Sequence, residues 1–212
     1  MGHSRIPDLL TYALRAAAAA LAGALMQLAF STNHAFWPLV FVALVPLEWA
    51  IRRVRPLEVY CWAFVTFYVF LIGSNWWLHK WGWGAADALT FMEASAYAIG
   101  IAIASWLRTR LGRDPWHLLL PVCIVLVEFK RGAGFWAFPW PLLGHALVFA
   151  PVLLQSAALW GAGGLSFLVA WSNAVIGSAC FDEIRPPQQR WAQAVPFLAI
   201  FLFAGVYGLL SL

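Results

Sequence analysis

Of the 212 residues, 63% are apolar and only 10% are charged, where a soluble domain carries roughly 25% charged residues. So little polar surface excludes a water-soluble globular domain; the solvent of this chain must be largely lipid. The 14 tryptophans agree, because indole rings favour the membrane–water interface. The formal charge of +4 would suit an acidic partner such as nucleic acid, but the basic residues sit in the connections between apolar runs. The charge therefore reads as membrane topology, and no nucleic-acid partner is expected.

Apolar runs cover residues 13–30, 36–51, 57–78, 85–107, 116–129, 162–181 and 191–212. They predict an all-α polytopic transmembrane bundle of about seven spans forming a single domain over residues 1–212, with no room for a soluble catalytic domain. Arg5 precedes the first run and Arg15 lies at its start, the layout of a signal peptide. Its 18 residues make roughly 27 Å of helix, close to a full hydrocarbon thickness. No small-x-small cleavage site follows, so a retained span is expected. The second and fifth runs are short and disturbed by Pro38, Pro46 and Pro121. Such prolines are tolerated where neighbouring helices satisfy the freed carbonyls, which places both runs inside the bundle.

Orientation follows from Lys and Arg on alternate sides. With the N-terminus in the cytoplasm, that side holds ten: Arg5, Arg15, Arg52, Arg53, Arg55, Arg108, Arg110, Arg113, Arg185 and Arg190. The opposite side holds three, Lys80, Lys130 and Arg131. Seven spans then put the C-terminus outside. The stretch 130–161, KRGAGFWAFPWPLLGHALVFAPVLLQSAALWG, is too apolar for bulk water and too rich in Gly and Pro for one regular helix. It is expected to lie in the interface or re-enter the membrane against protein, with a short helix near 151–160.

Few residues offer chemistry. Glu128 and Arg131 stand i, i+3 at the outer end of the fifth span and can pair on one helix face. The pair is either a structural anchor for the following segment or functional, since ionisable groups at membrane depth are costly. Glu93, about 12 Å into the fourth span, is expected to face the interior, protonated or bonded to polar groups such as Ser74 or Asn75, in a structural or substrate-contacting role. The stretch 73–84, GSNWWLHKWGWG, is an aromatic belt or the wall of an acyl-chain or headgroup site. Cys61, Cys123 and Cys180 have neither metal-ligand nor disulfide spacing, and His3, His34, His79, His117 and His145 lack the pairings of helical metal or haem ligation. CFDE, residues 180–183, sets an acid after a thiol but has no base placed to activate it. No metal, cofactor or catalytic residue is expected.

Five segments together carry a family resemblance: WPLVFVALVPL (37–47), GSNWW (73–77), VEFKRG (127–132), FPWPLLGHA (138–146) and WGAGGLSFLVAWSNA (160–174). In that order they resemble the N-terminal membrane domain of apolipoprotein N-acyltransferases over nearly the whole chain. The resemblance implies a bacterial inner-membrane domain that holds a periplasmic nitrilase-like domain, in cis or in trans. That domain carries a Glu-Lys-Cys triad and moves an acyl group from phospholipid to the N-terminal cysteine of a lipoprotein. It also implies that Asn75, Trp76, Glu128, Arg131, Phe138, Pro139, Trp140, Gly144 and His145 lie around a lipid entrance. The chain departs from the family in lacking the triad and in reading Gly144-His145-Ala146-Leu147 where Gly-Tyr-Ser-Gln is common. Alone it is expected to be catalytically silent; the alternative is a stand-alone scaffold that binds lipid or lipoprotein.

Overall fold

On the first helix alanine faces inward and leucine outward, the reverse of a soluble core. In a computed structural model of the chain, α1 (Leu9–Ala29) buries Ala19, Ala22, Gly23 and Met26 and exposes Leu14, Leu21 and Leu28. Small residues let helix backbones approach closely where lipid removes the hydrophobic drive between helices. The partner is α3 (Pro56–Ser74), whose Thr66 hydroxyl donates to Ala19 O at 2.9 Å. The structure describes residues 9–111, 115–134, 137–182 and 186–212, apart from the side chains of Trp83 and Pro187. Expectations resting on His3, Arg5, Arg113, Glu183 and Arg185 lie outside these residues.

Every regular element among the described residues is helical. Between α1 and α3 a 3-10 helix (His34–Phe41) and α2 (Val45–Ala50) replace the single expected span 36–51, with Pro38 inside the first and Pro46 at the start of the second. The break between them is satisfied from a distance: Asn173 accepts from Leu44 N at 2.7 Å and donates to Val40 O at 2.8 Å, while Ser172 donates to Phe41 O at 2.9 Å. The third expected span, 57–78, stops as a regular helix at Ser74, and Trp76–Trp81 winds on as a 3-10 helix.

Four elements continue the bundle: the longer α4 (Trp83–Arg110) and α5 (Trp116–Arg131), then a 3-10 helix (Leu143–Phe149) and the short α6 (Pro151–Leu154). The last layer comprises α7 (Ala157–Phe181), α8 (Pro187–Ala192) and α9 (Ala194–Ser211). Helix α7 begins before the expected residue 162 because it continues across a kink at Gly161, with φ 68° and ψ −176°. That backbone region is open essentially to glycine alone. The helix expected near 151–160 is accordingly split between α6 and the turn of α7 before the kink.

Among the described residues, five segments are long and apolar enough to cross a membrane: α1, α3, α4 from Gly84, α7, and Gln188–Ser211 through α8 and α9. The other two expected spans fall on the 16-residue α5 and on the broken run His34–Ala50. Both run the length of the bundle. The run His34–Ala50 starts with His34 against Phe149, ring centroids 4.2 Å apart, and reaches Glu48, whose carboxylate accepts from Trp116 Nε1 at 3.0 Å. Around Glu48 lies one end of the bundle: Arg15 donates to Ala50 O and Arg52 O, Arg108 lies over Trp116, and Arg52 lies over Phe181. At the other end Ser74 bonds Gln27, and Arg131 bonds Glu93. Helix α9 climbs past Trp171 and Phe41 to Gly208, seated on Val152. The described ends of the chain therefore sit at opposite ends of the bundle. The Arg15 end holds Arg52, Arg53, Arg55, Arg108, Arg110 and Arg190 as well, and the Arg131 end holds Lys80 and Lys130.

Candidate functional site: a buried charge cluster beneath the aromatic segment

Arg131 is the last residue of α5 and is 4% exposed, with Glu93 at 2% and Glu128 at 3%. Charges this deep persist only when paired and hydrogen-bonded, and the sequence supplies the partners from α4, from the turn at 138–141 and from Leu143. The guanidinium forms its ion pair with Glu93 of α4. One nitrogen, Nη1, also donates to Tyr97 Oη at 2.6 Å, and the Arg131 charge lies 4.9 Å from the centroid of the Tyr97 ring. Tyr97 passes the chain of bonds on, donating to Glu128 Oε1 at 3.0 Å, and its ring stacks on Phe67 of α3 at 4.1 Å.

This corrects two expectations. Glu128 and Arg131 do not pair directly, because the guanidinium turns from its own helix towards α4 and Tyr97 stands between the two. Glu93 is not held by Ser74 or Asn75: Ser74 bonds Gln27 at 2.6 Å, and Glu93 takes the arginine.

The remaining arginine donors hold the aromatic segment. Nη2 reaches Trp140 O at 2.8 Å and Phe138 O at 3.4 Å, and Nη1 reaches Pro141 O at 3.3 Å. The guanidinium spreads five N–H donors over a rigid planar fork and so reaches all of these acceptors, where a lysine ammonium has three donors on a single nitrogen. The Arg131 carbonyl closes the turn by accepting from Phe138 N at 2.8 Å, and the Trp140–Pro141 bond is cis. Beyond it the chain dips back into the bundle. Leu143 N donates to Glu128 Oε1 at 2.8 Å, and Gly144 N donates to Ser166 Oγ of α7 at 2.8 Å. Gly144 lies so close to α7 that a Cβ there would stand 2.8 Å from Ala162 O and Ser166 N. His145 turns back to Leu142 N at 3.3 Å, beside the half-exposed Trp140 ring at 5.3 Å.

Glu128, Arg131, Phe138, Pro139, Trp140, Gly144 and His145 thus come together, Pro139 packing near Gly132. Asn75 and Trp76 do not join them. Asn75 caps the end of α3, its side chain buried and outside the cluster's hydrogen bonds, and Trp76 is exposed beneath the Lys80 ammonium. Tyr97 is the missed member; its i, i+4 spacing from Glu93 on α4, which puts both on one face, is the signal that could have found it. Of the cysteines, Cys61 and Cys180 are exposed, Cys123 is buried in α5, and none enters the cluster. The described residues contain no group of three His, Cys, Asp or Glu suited to a metal. This is an arrangement that fixes backbone; it holds no activated nucleophile.

Fold and site define a polytopic α-helical membrane domain, one end of which is closed by an aromatic segment locked onto a buried charge cluster. Residues 22–175 match the sequence profile described as Apolipoprotein N-acyltransferase N-terminal domain. Among similar proteins, the apolipoprotein N-acyltransferase of Geobacter metallireducens is 30% identical over 90% of this chain and 38% of its own length. That of Chromobacterium violaceum is 33% identical over 75% of this chain and 32% of its own, and that of Rhodopseudomonas palustris 30% over 91% and 38%. The chain belongs to the apolipoprotein N-acyltransferase family. It spans about a third of the length of these curated relatives, the part that matches the family's N-terminal domain.

Proposed function

We propose that this membrane domain serves lipoprotein N-acylation by anchoring a nitrilase-like acyl-transfer domain at the Arg131 end of the bundle, on the periplasmic face of a bacterial inner membrane. There phospholipid and lipoprotein enter sideways from the bilayer, and the locked segment 137–149 forms the rim they pass. The supporting observation is the Arg131 fork, which holds three carbonyls of an aromatic turn at the same end of the bundle that the described C-terminus reaches. A surface that must present amphipathic substrates to a second domain needs a fixed rim, and a buried charge cluster supplies one that lipid cannot loosen. Phe138, Pro139 and Trp140 then border the entrance, while Glu93, Tyr97, Glu128 and Arg131 are positioning residues behind it.

A hybrid tests this. The chain replaces the matching third of the Chromobacterium violaceum relative, and transfer of an acyl chain from phospholipid to a diacylated lipopeptide is measured in proteoliposomes. An active hybrid that loses most of its rate on Arg131→Ala, with membrane insertion intact, is expected. A well-inserted hybrid without transfer would contradict the proposal.

A further inference from the structure

A shallow groove runs between α4 and α5 on the outside of the bundle, with a volume of about 370 Å³. Its α4 wall carries Ala96, Ile99 and Ile103 and its α5 wall Cys123, Leu126 and Lys130, each set on one helical stripe. The floor is low because the two helices touch at Gly100, where a Cβ would stand 2.6 Å from Val127 Cγ2. Ala96, Gly100 and Ala104 continue the small-residue row that lets helices close in. The rims are high because Ile99, Ile103 and Leu126 stand exposed. Eight residues of each helix, 96–103 and 123–130, give the groove a length of about 10 Å, within the roughly 15 Å that one leaflet of hydrocarbon provides.

The only charge lining this groove is Lys130, exposed at its Arg131 end. No acidic side chain lines the groove, and Lys130 forms no ion pair among the described residues. The C-terminal end of a helix by itself disfavours an anion, so any attraction for one there comes from the ammonium. We infer that this groove binds the acyl chain of an anionic phospholipid whose phosphate sits at Lys130. The chain of carbons lies along Ala96, Gly100 and Val127, and the headgroup stays level with the outer end of α5. This rests on the chain's residence in a bilayer and is independent of the acyl-transfer reading.

The test uses the whole chain reconstituted in vesicles doped with phosphatidylglycerol or phosphatidylethanolamine carrying a photoreactive group on one acyl chain. Crosslinks are mapped to peptides spanning residues 96–103 and 123–127. One lysine near the headgroup region is worth roughly a fivefold preference for an anionic lipid. The phosphatidylglycerol probe should therefore label these peptides about fivefold more, and Lys130→Gln should bring the two probes level. Ala96→Phe, which fills the groove, should remove labelling by both at an unchanged thermal midpoint. Equal labelling by the two lipids in the unaltered protein, or a preference that survives Lys130→Gln, would overturn the inference. Labelling by neither probe would mean that protein rather than lipid covers the groove, and would overturn it too.

Discussion

Replacing Arg131 by alanine removes the centre of the cluster and leaves Glu93 buried without its counter-charge. Breaking a buried ion pair from one side costs typically ~3–5 kcal/mol, because an uncompensated charge remains. The three carbonyls released at Phe138, Trp140 and Pro141 add less, since Phe138 and Trp140 border solvent or headgroups and find water there. At about 2–4 °C per kcal/mol for a chain of this size, the thermal midpoint in detergent should fall by roughly 6–20 °C. Lys130→Ala, one residue away but exposed, should stay within about 0.5 kcal/mol. The pairing itself is read from a double-mutant cycle: Arg131 should couple more strongly to Glu93 than to Glu128, which it meets only through the Tyr97 hydroxyl. Hydrogen exchange in 137–143 should rise in the Arg131 variant alone. Equal small effects of the two substitutions, or stronger coupling to Glu128, would refute the lock.

Asn173→Ala should destabilise the chain by about 1–3 kcal/mol, the cost of leaving buried backbone groups unpaired; faster hydrogen exchange at Leu44 is the local check, and an unchanged rate would show the break to be held otherwise. Gly144→Val should lower the thermal midpoint, because the new side chain meets the backbone of α7 rather than a movable side-chain tip; a neutral outcome would mean that the segment can lift away from Ser166. The purified chain should transfer no acyl group to a diacylated lipopeptide, and turnover that disappears with Cys61, Cys123 or Cys180 would reveal a nucleophile outside the cluster.

Much of the architecture was legible because lipid imposes a simple code. An apolar run must be helical, and charge gathers between runs, so α1, α3, α4, α7 and α9 were found within a few residues of their observed bounds. The second run was harder to read. Pro38 and Pro46 announce a break, but the residue that makes the break tolerable is Asn173, 133 positions from Val40 and in the middle of a helix that otherwise looks merely apolar. Glycine misled at residue 161, where it reads as the end of a loop and serves as a bend inside α7. In the site, the depth of Glu128 and Arg131 marked them, and i, i+3 spacing suggested a pair. Local spacing reports which groups share a face; it does not report which way a long arginine turns. That choice is made by α4, which brings Glu93 and Tyr97 across from another helix.

Which way the Arg131 end faces decides whether substrates and an acyl-transfer domain can meet the locked segment at all. A reporter active only outside the cytoplasm, fused after Leu212 and separately after Arg113, measures it directly. Activity after Leu212 and silence after Arg113 is the predicted result, from the excess of basic residues at the opposite end. The reverse pattern would put the aromatic rim in the cytoplasm and contradict the proposed role outright.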